Sequence, residues 1–327
     1  MAFINKFGFA PAEWLPVRDR DLLDRIAQED YYAHQGKNFE NPDFELKVVY
    51  DVHNFFAIDL FHRIQISDVE NKKLVVILPS PENAVFMTVV EVLNKFRVSC
   101  RNVHVFFLYE YANEKGQVAP WQSPYSRSGH FMRYFYERLD PALRMPMEQI
   151  HFFTNDNWKN YSDLIAAEGG ADVAYTTLSW SGGIGAIDTE SFPAATMEEF
   201  LAMGSAYVTP SVEMIADDSL RGMFGASGDL GNVPPCAVTV GPKDLAAAKE
   251  RVLVLYMVGC GGNPAHQKFA GKLALFGPVD SKIPGSMLRL FPGTCYVSMD
   301  VAAPAVYSAD RDWIAVELDA IKKKEQG

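Results

Sequence analysis

The sequence predicts an α/β fold of the doubly wound kind, a single domain on a mainly parallel sheet with an N-terminal extension. Two observations carry that expectation. Continuous apolar runs at residues 74–78 and 252–258 suit strands covered on both faces. Stretches of helical spacing separate such runs along most of the chain, the alternation of a doubly wound sheet. A sheet of this kind presents its ligand site at the carboxyl ends of its strands.

Residues 1–45 stand apart as the extension, suited to packing or a dimer contact. Leu22, Leu23, Ile26 and Tyr31 predict a helix within 19–34, and residues 35–45 are turn-rich, punctuated by Gly36 and Pro42. The spacing then predicts a helix over 47–66, a buried strand over 72–79, a helix over 83–96 and a strand over 102–108. Further strands are expected at 149–153, 171–178, 236–240, 252–258 and 294–299. Helices are expected at 127–139, 160–167, 242–249 and 266–276, with a C-terminal helix over 306–327. The α/β domain is assigned to residues 46–305.

Composition narrows the function classes. Lys and Arg number 30 against 41 Asp and Glu, a formal net charge of −11 in 327 residues. Phosphate backbones and anionic membrane surfaces reward the opposite balance, so neither nucleic acid nor membrane is an expected partner. No apolar run approaches the roughly 18–20 residues of a spanning helix, and the N-terminus lacks a basic start followed by an apolar core. Cys100, Cys236, Cys260 and Cys295 are widely spaced and expected to be reduced thiols in a cytoplasmic protein. The seven histidines show no metal-ligand spacing, and no dinucleotide fingerprint, activated serine or Cys–His pair is evident. No metal and no cofactor are expected.

Five stretches follow predicted strand ends: Pro79-Ser-Pro-Glu-Asn83, Tyr109-Glu-Tyr111, residues 179–190, the segment around Arg221, and residues 259–268. In this order they resemble the glucosamine-6-phosphate deaminase/isomerase family, over roughly residues 46–305. The most specific piece is Phe276-Gly-Pro-Val-Asp-Ser-Lys-Ile-Pro-Gly-Ser-Met-Leu-Arg-Leu-Phe-Pro292. It is similar to the family's glycine-proline-valine signature and the histidine-proline that closes it. Val233-Pro-Pro-Cys-Ala-Val-Thr-Val-Gly241 and Val103-His-Val-Phe-Phe-Leu-Tyr-Glu-Tyr111 resemble the family's strand and turn and its strand ending in Asp-Glu-Tyr.

The resemblance implies a Rossmann-like fold, a sugar or sugar-phosphate ligand and a homo-oligomer. It places phosphate-binding groups at Ser80 and Asn83, in the loop after the first predicted strand, and at Arg221 and Lys268. Backbone N–H groups at a helix N-terminus are a ready anion site. Here, however, the loop lacks the family's glycines, Pro81 offers no N–H, and Glu82 adds a negative charge. Tyr109 stands where the family has its proton-transfer Asp, and tyrosine, with an ordinary pKa of about 10, is a poor base near neutrality. Glu110 is the neighbouring candidate. In the loop of residues 179–190, Gly182 or Gly183 replaces the ring-opening Asp, and Ile184 or Gly185 replaces the His. Asp188 and Glu190 are the acids left there, and the glycines permit a tight turn and close ligand approach.

Two readings follow. The first is an isomerase- or deaminase-like enzyme of carbohydrate metabolism with rearranged acid–base groups drawn from Tyr109, Glu110, Asp188 and Glu190. The second is a non-catalytic relative that binds a sugar or sugar phosphate as a sensor. A transcription regulator with this fold as effector domain would need a DNA-binding segment, and residues 1–45 are too acidic and short to supply one.

Overall fold

The computed structural model describes residues 10–36, 38–220, 222–225, 227–256 and 266–303. Seven parallel strands form the central sheet in the order β1-β10-β9-β6-β2-β3-β5. They are β1 (Phe44–Val49), β2 (Leu74–Leu78), β3 (Val103–Phe107), β5 (Ile150–His151), β6 (Val173–Thr176), β9 (Glu250–Leu255) and β10 (Gly293–Ser298). The apolar run of β2 is buried at every position, as expected of a central strand covered on both faces. A three-stranded antiparallel sheet, ordered β4-β8-β7, combines β4 (Tyr109–Ala112), β7 (Ala206–Val208) and β8 (Cys236–Thr239). The fold is thus α/β with a mainly parallel sheet, as the sequence predicts.

The helices are α1 (Arg20–Ala27), α2 (Val52–Glu70), α3 (Asn83–Phe96), α4 (Arg127–Phe131), α5 (Tyr161–Ala167), α6 (Met197–Leu201), α7 (Val212–Ser219), α8 (Pro242–Ala247), α9 (His266–Phe276) and α10 (Met299–Ala302). The stretch 47–66, expected as one helix, is instead the end of β1 followed by α2. Phe44, Leu46 and Val49 are buried, and six residues of β1 pair in register with β10. Pairing of a β-branched run in the sheet overrides the helical spacing that continues into it. The strand therefore crosses the boundary placed between residues 45 and 46. Asp51 then starts α2 by accepting from the N–H groups of His53 and Asn54. In the segment 127–139, α4 passes into a π-helical turn, Met132–Tyr136.

Ahead of the sheet, the first described segment packs on α9. The Tyr31 hydroxyl donates to the Lys268 carbonyl at 3.0 Å, and Lys272 Nζ donates to the Ala27 carbonyl at 2.8 Å. Cys100, Cys236 and Cys295 are buried free thiols. Cys260 and residues 306–327 lie outside the described residues. No helix among the described residues is long and apolar enough to cross a membrane.

The topology points to one place for chemistry. From β2 the chain continues to β3 on one side of the sheet, whereas from β6 the sheet grows through β9 on the other. The crevice between the carboxyl ends of β2 and β6 is the switch point where doubly wound sheets take their ligands.

Candidate functional site

A cleft opens at that switch point. Ser80 and Glu82 enter it after β2, Tyr109 after β3, Thr177 and Ser179 after β6, and Asp217 and Asp218 from the last turn of α7. Its free volume is about 20 Å³, room for about one water, so a larger ligand would enter only if side chains around it shift.

Arg127 is its buried cation. The guanidinium lies over the Tyr109 ring, 3.9 Å from the centroid, donates to the Tyr111 hydroxyl at 2.8 Å and pairs with Asp218 at 3.4 Å. The Tyr111 hydroxyl in turn donates to the other Asp218 oxygen at 2.7 Å. Burial, reinforced by Asp218, pushes the Tyr111 phenol well above its ordinary range and keeps it protonated, although Arg127 opposes the shift. Glu82 Oε1 accepts from the Tyr256 hydroxyl at 2.8 Å. Glu82 is also the residue that precedes the first turn of α3, where the partial positive charge of the helix end favours a carboxylate. The described part of the cleft thus carries three carboxylates, Glu82, Asp217 and Asp218, and one guanidinium.

Glu110 lies beneath this surface. Its Oε1 accepts from the N–H groups of Tyr111 and Arg127, both at 2.9 Å. Its Oε2 accepts from the hydroxyls of Ser126 and Ser128, both at 2.7 Å, and from the Ser128 N–H at 2.9 Å. A carboxylate held by five donors anchors the N-terminus of α4 and so sets where Arg127 sits. That geometry gives Glu110 a positioning role, not that of a mobile base. Ser80 supports the same helix start, its hydroxyl donating to the Arg127 carbonyl.

The other sequence candidates disperse. Asp188 is buried and accepts from the N–H groups of Ser191 at 2.7 Å and Ser211 at 3.0 Å, tying its loop to the start of α7. Glu190 is exposed. Both line a separate pocket of about 190 Å³ with Glu13, Trp14, Ser211 and Glu213. Asn83 is not among the residues lining the cleft, and its Oδ1 meets His130 Nδ1 at 2.9 Å. Lys268 Nζ donates to the Ala303 carbonyl at 2.8 Å, so this cation is engaged at α10. Arg221 lies outside the described residues.

Of the glycines expected to admit a ligand, Gly182 and Gly183 admit the chain itself, whereas Gly185 lines the cleft. Gly182, at φ +81°, accepts through its carbonyl from the Gly285 N–H at 2.7 Å, and a Cβ on Gly183 would stand 2.8 Å from the Ile187 carbonyl oxygen. At Gly185, φ is +58° and a Cβ would lie 2.9 Å from both Leu108 and Tyr109. Of the residues that sequence singles out, the cleft therefore gathers Ser80, Glu82, Tyr109 and Gly185. Arg127, Asp217, Asp218 and Tyr256 were not singled out by sequence. The signals available were an acidic doublet closing a short helix, and an arginine directly after the N-capping Ser126.

No family model matches the chain. A curated glucosamine-6-phosphate deaminase from Lachnoclostridium phytofermentans is 27% identical over 167 residues, 49% of this chain. The matched stretch spans 62% of that relative, less than two thirds of its length. Among solved structures, a monomeric glucosamine-6-phosphate deaminase described as a missing link of the NagB superfamily superposes with a TM-score of 0.64 at 16% identity, covering 80% of this chain and 99% of that one. The 6-phosphogluconolactonase of Thermotoga maritima gives 0.55 at 13% identity, covering 78% and 99%. That of Trypanosoma cruzi gives 0.54 at 15% identity, covering 82% and 97%. These structural likenesses speak for the fold, and the sequence match is a partial resemblance of this chain to a glucosamine-6-phosphate deaminase.

Proposed function

We propose that the chain is an enzyme-like protein of sugar-phosphate metabolism that takes a sugar or sugar phosphate in the cleft between β2 and β6. The observation that supports this reading is the convergence of Ser80, Glu82, Tyr109, Arg127, Asp217 and Asp218 at the switch point of the sheet. Carboxylates in a partly water-excluded cleft accept strong hydrogen bonds from sugar hydroxyls or an ammonium group. The names of the relatives, glucosamine-6-phosphate deaminase and 6-phosphogluconolactonase, support the same substrate class.

In this reading the proton-transfer groups are Glu82 and Asp217, which line the cleft, and Glu110 acts through Arg127. The second reading, a binding protein without turnover, is favoured by Tyr109 at the position where the resemblance expects the carboxylate base. Thermal unfolding with glucosamine, glucosamine 6-phosphate and 6-phosphogluconate tests the proposal, because a ligand that binds only the folded state raises the melting temperature. At least one of them should raise it in the wild type and not in Asp217→Asn. No shift with any would contradict the reading. A shift without conversion by NMR would select the second.

A further inference from the structure

A second cluster lies near the other end of the sheet. His104 is the second residue of β3, His151 closes the short edge strand β5, and Glu168 follows α5. Phe106 of β3 is the register partner of His151, so His104 and His151 share one face, with their rings stacked at 5.6 Å between centroids. His104 Nδ1 lies 3.3 Å from His151 Nε2 and 3.3 Å from Glu168 Oε2, and the three atoms all fall within 4.8 Å of one another. The spacing of histidines along the chain did not reveal this group, because strand pairing brings together residues 47 positions apart.

From this geometry we infer that His104, His151 and Glu168 form a binding site for a zinc-class divalent metal ion. Zinc bonds of about 2.0–2.1 Å to imidazole nitrogen or carboxylate oxygen give a tetrahedron whose edges are about 3.3 Å. Two of the three observed separations have that length. Two histidines and a glutamate leave the fourth position to water, and all three side chains are half-buried, so water and ion can reach them. The ligand chemistry favours Zn²⁺ over Mg²⁺ or Ca²⁺, which prefer all-oxygen sets.

Two neighbours bear on the site. The Gln149 amide nitrogen is 2.9 Å from His104 Nε2, and its buried oxygen has no hydrogen-bond partner among the described residues. A half-turn of the amide lets that oxygen accept the Nε2–H, which leaves the Nδ1 lone pair for the metal, the usual way a second group orients a ligating histidine. Lys73 Nζ opposes the ion, since it donates to Glu168 Oε2 at 2.9 Å. It also reaches the Glu168 carbonyl at 3.2 Å, where it can stay when the carboxylate turns to a metal. A bound ion would join the edge strand β5 to β3 and to the end of α5.

The test uses the full chain without an affinity tag, stripped with a chelator and titrated with ZnCl₂, followed by calorimetry and thermal unfolding. Co²⁺ substitution reads the geometry through the visible absorption of a low-coordinate ion. The expected result is one Zn²⁺ per chain and a raised melting temperature, with no rise from Mg²⁺. His151→Phe, which keeps a ring against Phe106, and Glu168→Gln should both lose that equivalent. Gln149→Met should bind about 10–100-fold more weakly, and Lys73→Met more tightly. Absence of saturable zinc uptake, or uptake unchanged in His151→Phe and Glu168→Gln, would overturn the inference.

Discussion

The Arg127 guanidinium is stacked 3.9 Å above the centroid of the Tyr109 ring, in the cleft where the sheet reverses its direction of growth. Its charge is balanced there by Asp218, itself held by the Tyr111 hydroxyl. Removing a buried guanidinium from such a pair is strongly destabilising, whereas removing both charges is less so. Arg127→Met should lower stability by about 3–5 kcal/mol. The double variant Arg127→Met, Asp218→Asn should lose less than the sum of the two single changes, which urea unfolding of all three variants would measure.

Glu110 should prove important to folding through its five donors, three of them fixed backbone N–H groups. Glu110→Ala leaves those donors unsatisfied in the interior and should lower stability by about 3–5 kcal/mol. Glu110→Gln should not rescue it. Its amide NH₂ would face either the N–H groups of Tyr111 and Arg127 or the donors at Ser126 and Ser128. Denaturant midpoints of the two variants check this; wild-type stability in Glu110→Gln would contradict the positioning role.

Acid should weaken the fold through His130. Burial first, then Arg133 and Arg127, pulls its pKa down to about 4 from an ordinary value near 6.5. The unfolded chain therefore binds a proton at a higher pH than the folded chain. The stabilising contribution of the neutral ring is complete above about pH 6.5 and is lost progressively as pH falls to about 4. Urea midpoints measured from pH 7 to pH 4 should fall less steeply for His130→Gln than for the wild type.

Glu82 should discriminate against phosphate. Its carboxylate lies at the start of α3, where the family resemblance places an anion, and two negative charges in one partly buried cleft repel. Glu82→Gln should bind glucosamine 6-phosphate roughly tenfold more tightly, about 1.4 kcal/mol, with little change for glucosamine. Titration calorimetry with both sugars separates this from a general change in the cleft.

The sheet was legible in the sequence because strands such as β2 and the end of β9 are short apolar runs separated by helices with clear spacing; β2, α3 and α9 fall close to where the pattern puts them. β1 was not, since its pairing with β10 links residues some 250 positions apart and nothing local distinguishes 47–49 from the helix that follows. The site was legible at Ser80, Glu82 and Tyr109, which lie just past strand ends, and at Gly185. Asp217 and Asp218 reach the cleft because Asp188 holds the start of their helix, and Arg127 because Glu110 holds its own. Such relayed placement leaves no spacing to read. Two of the acids that sequence did single out, Glu110 and Asp188, are the groups that do the holding.

Ammonia release from glucosamine 6-phosphate tests most directly the proposal that this fold carries rearranged acid–base groups. Purified protein at saturating substrate should release no ammonia above the blank, because the resemblance puts Tyr109, a poor base near neutrality, at the position of the carboxylate base. Release at a rate typical of glucosamine-6-phosphate deaminases would contradict it.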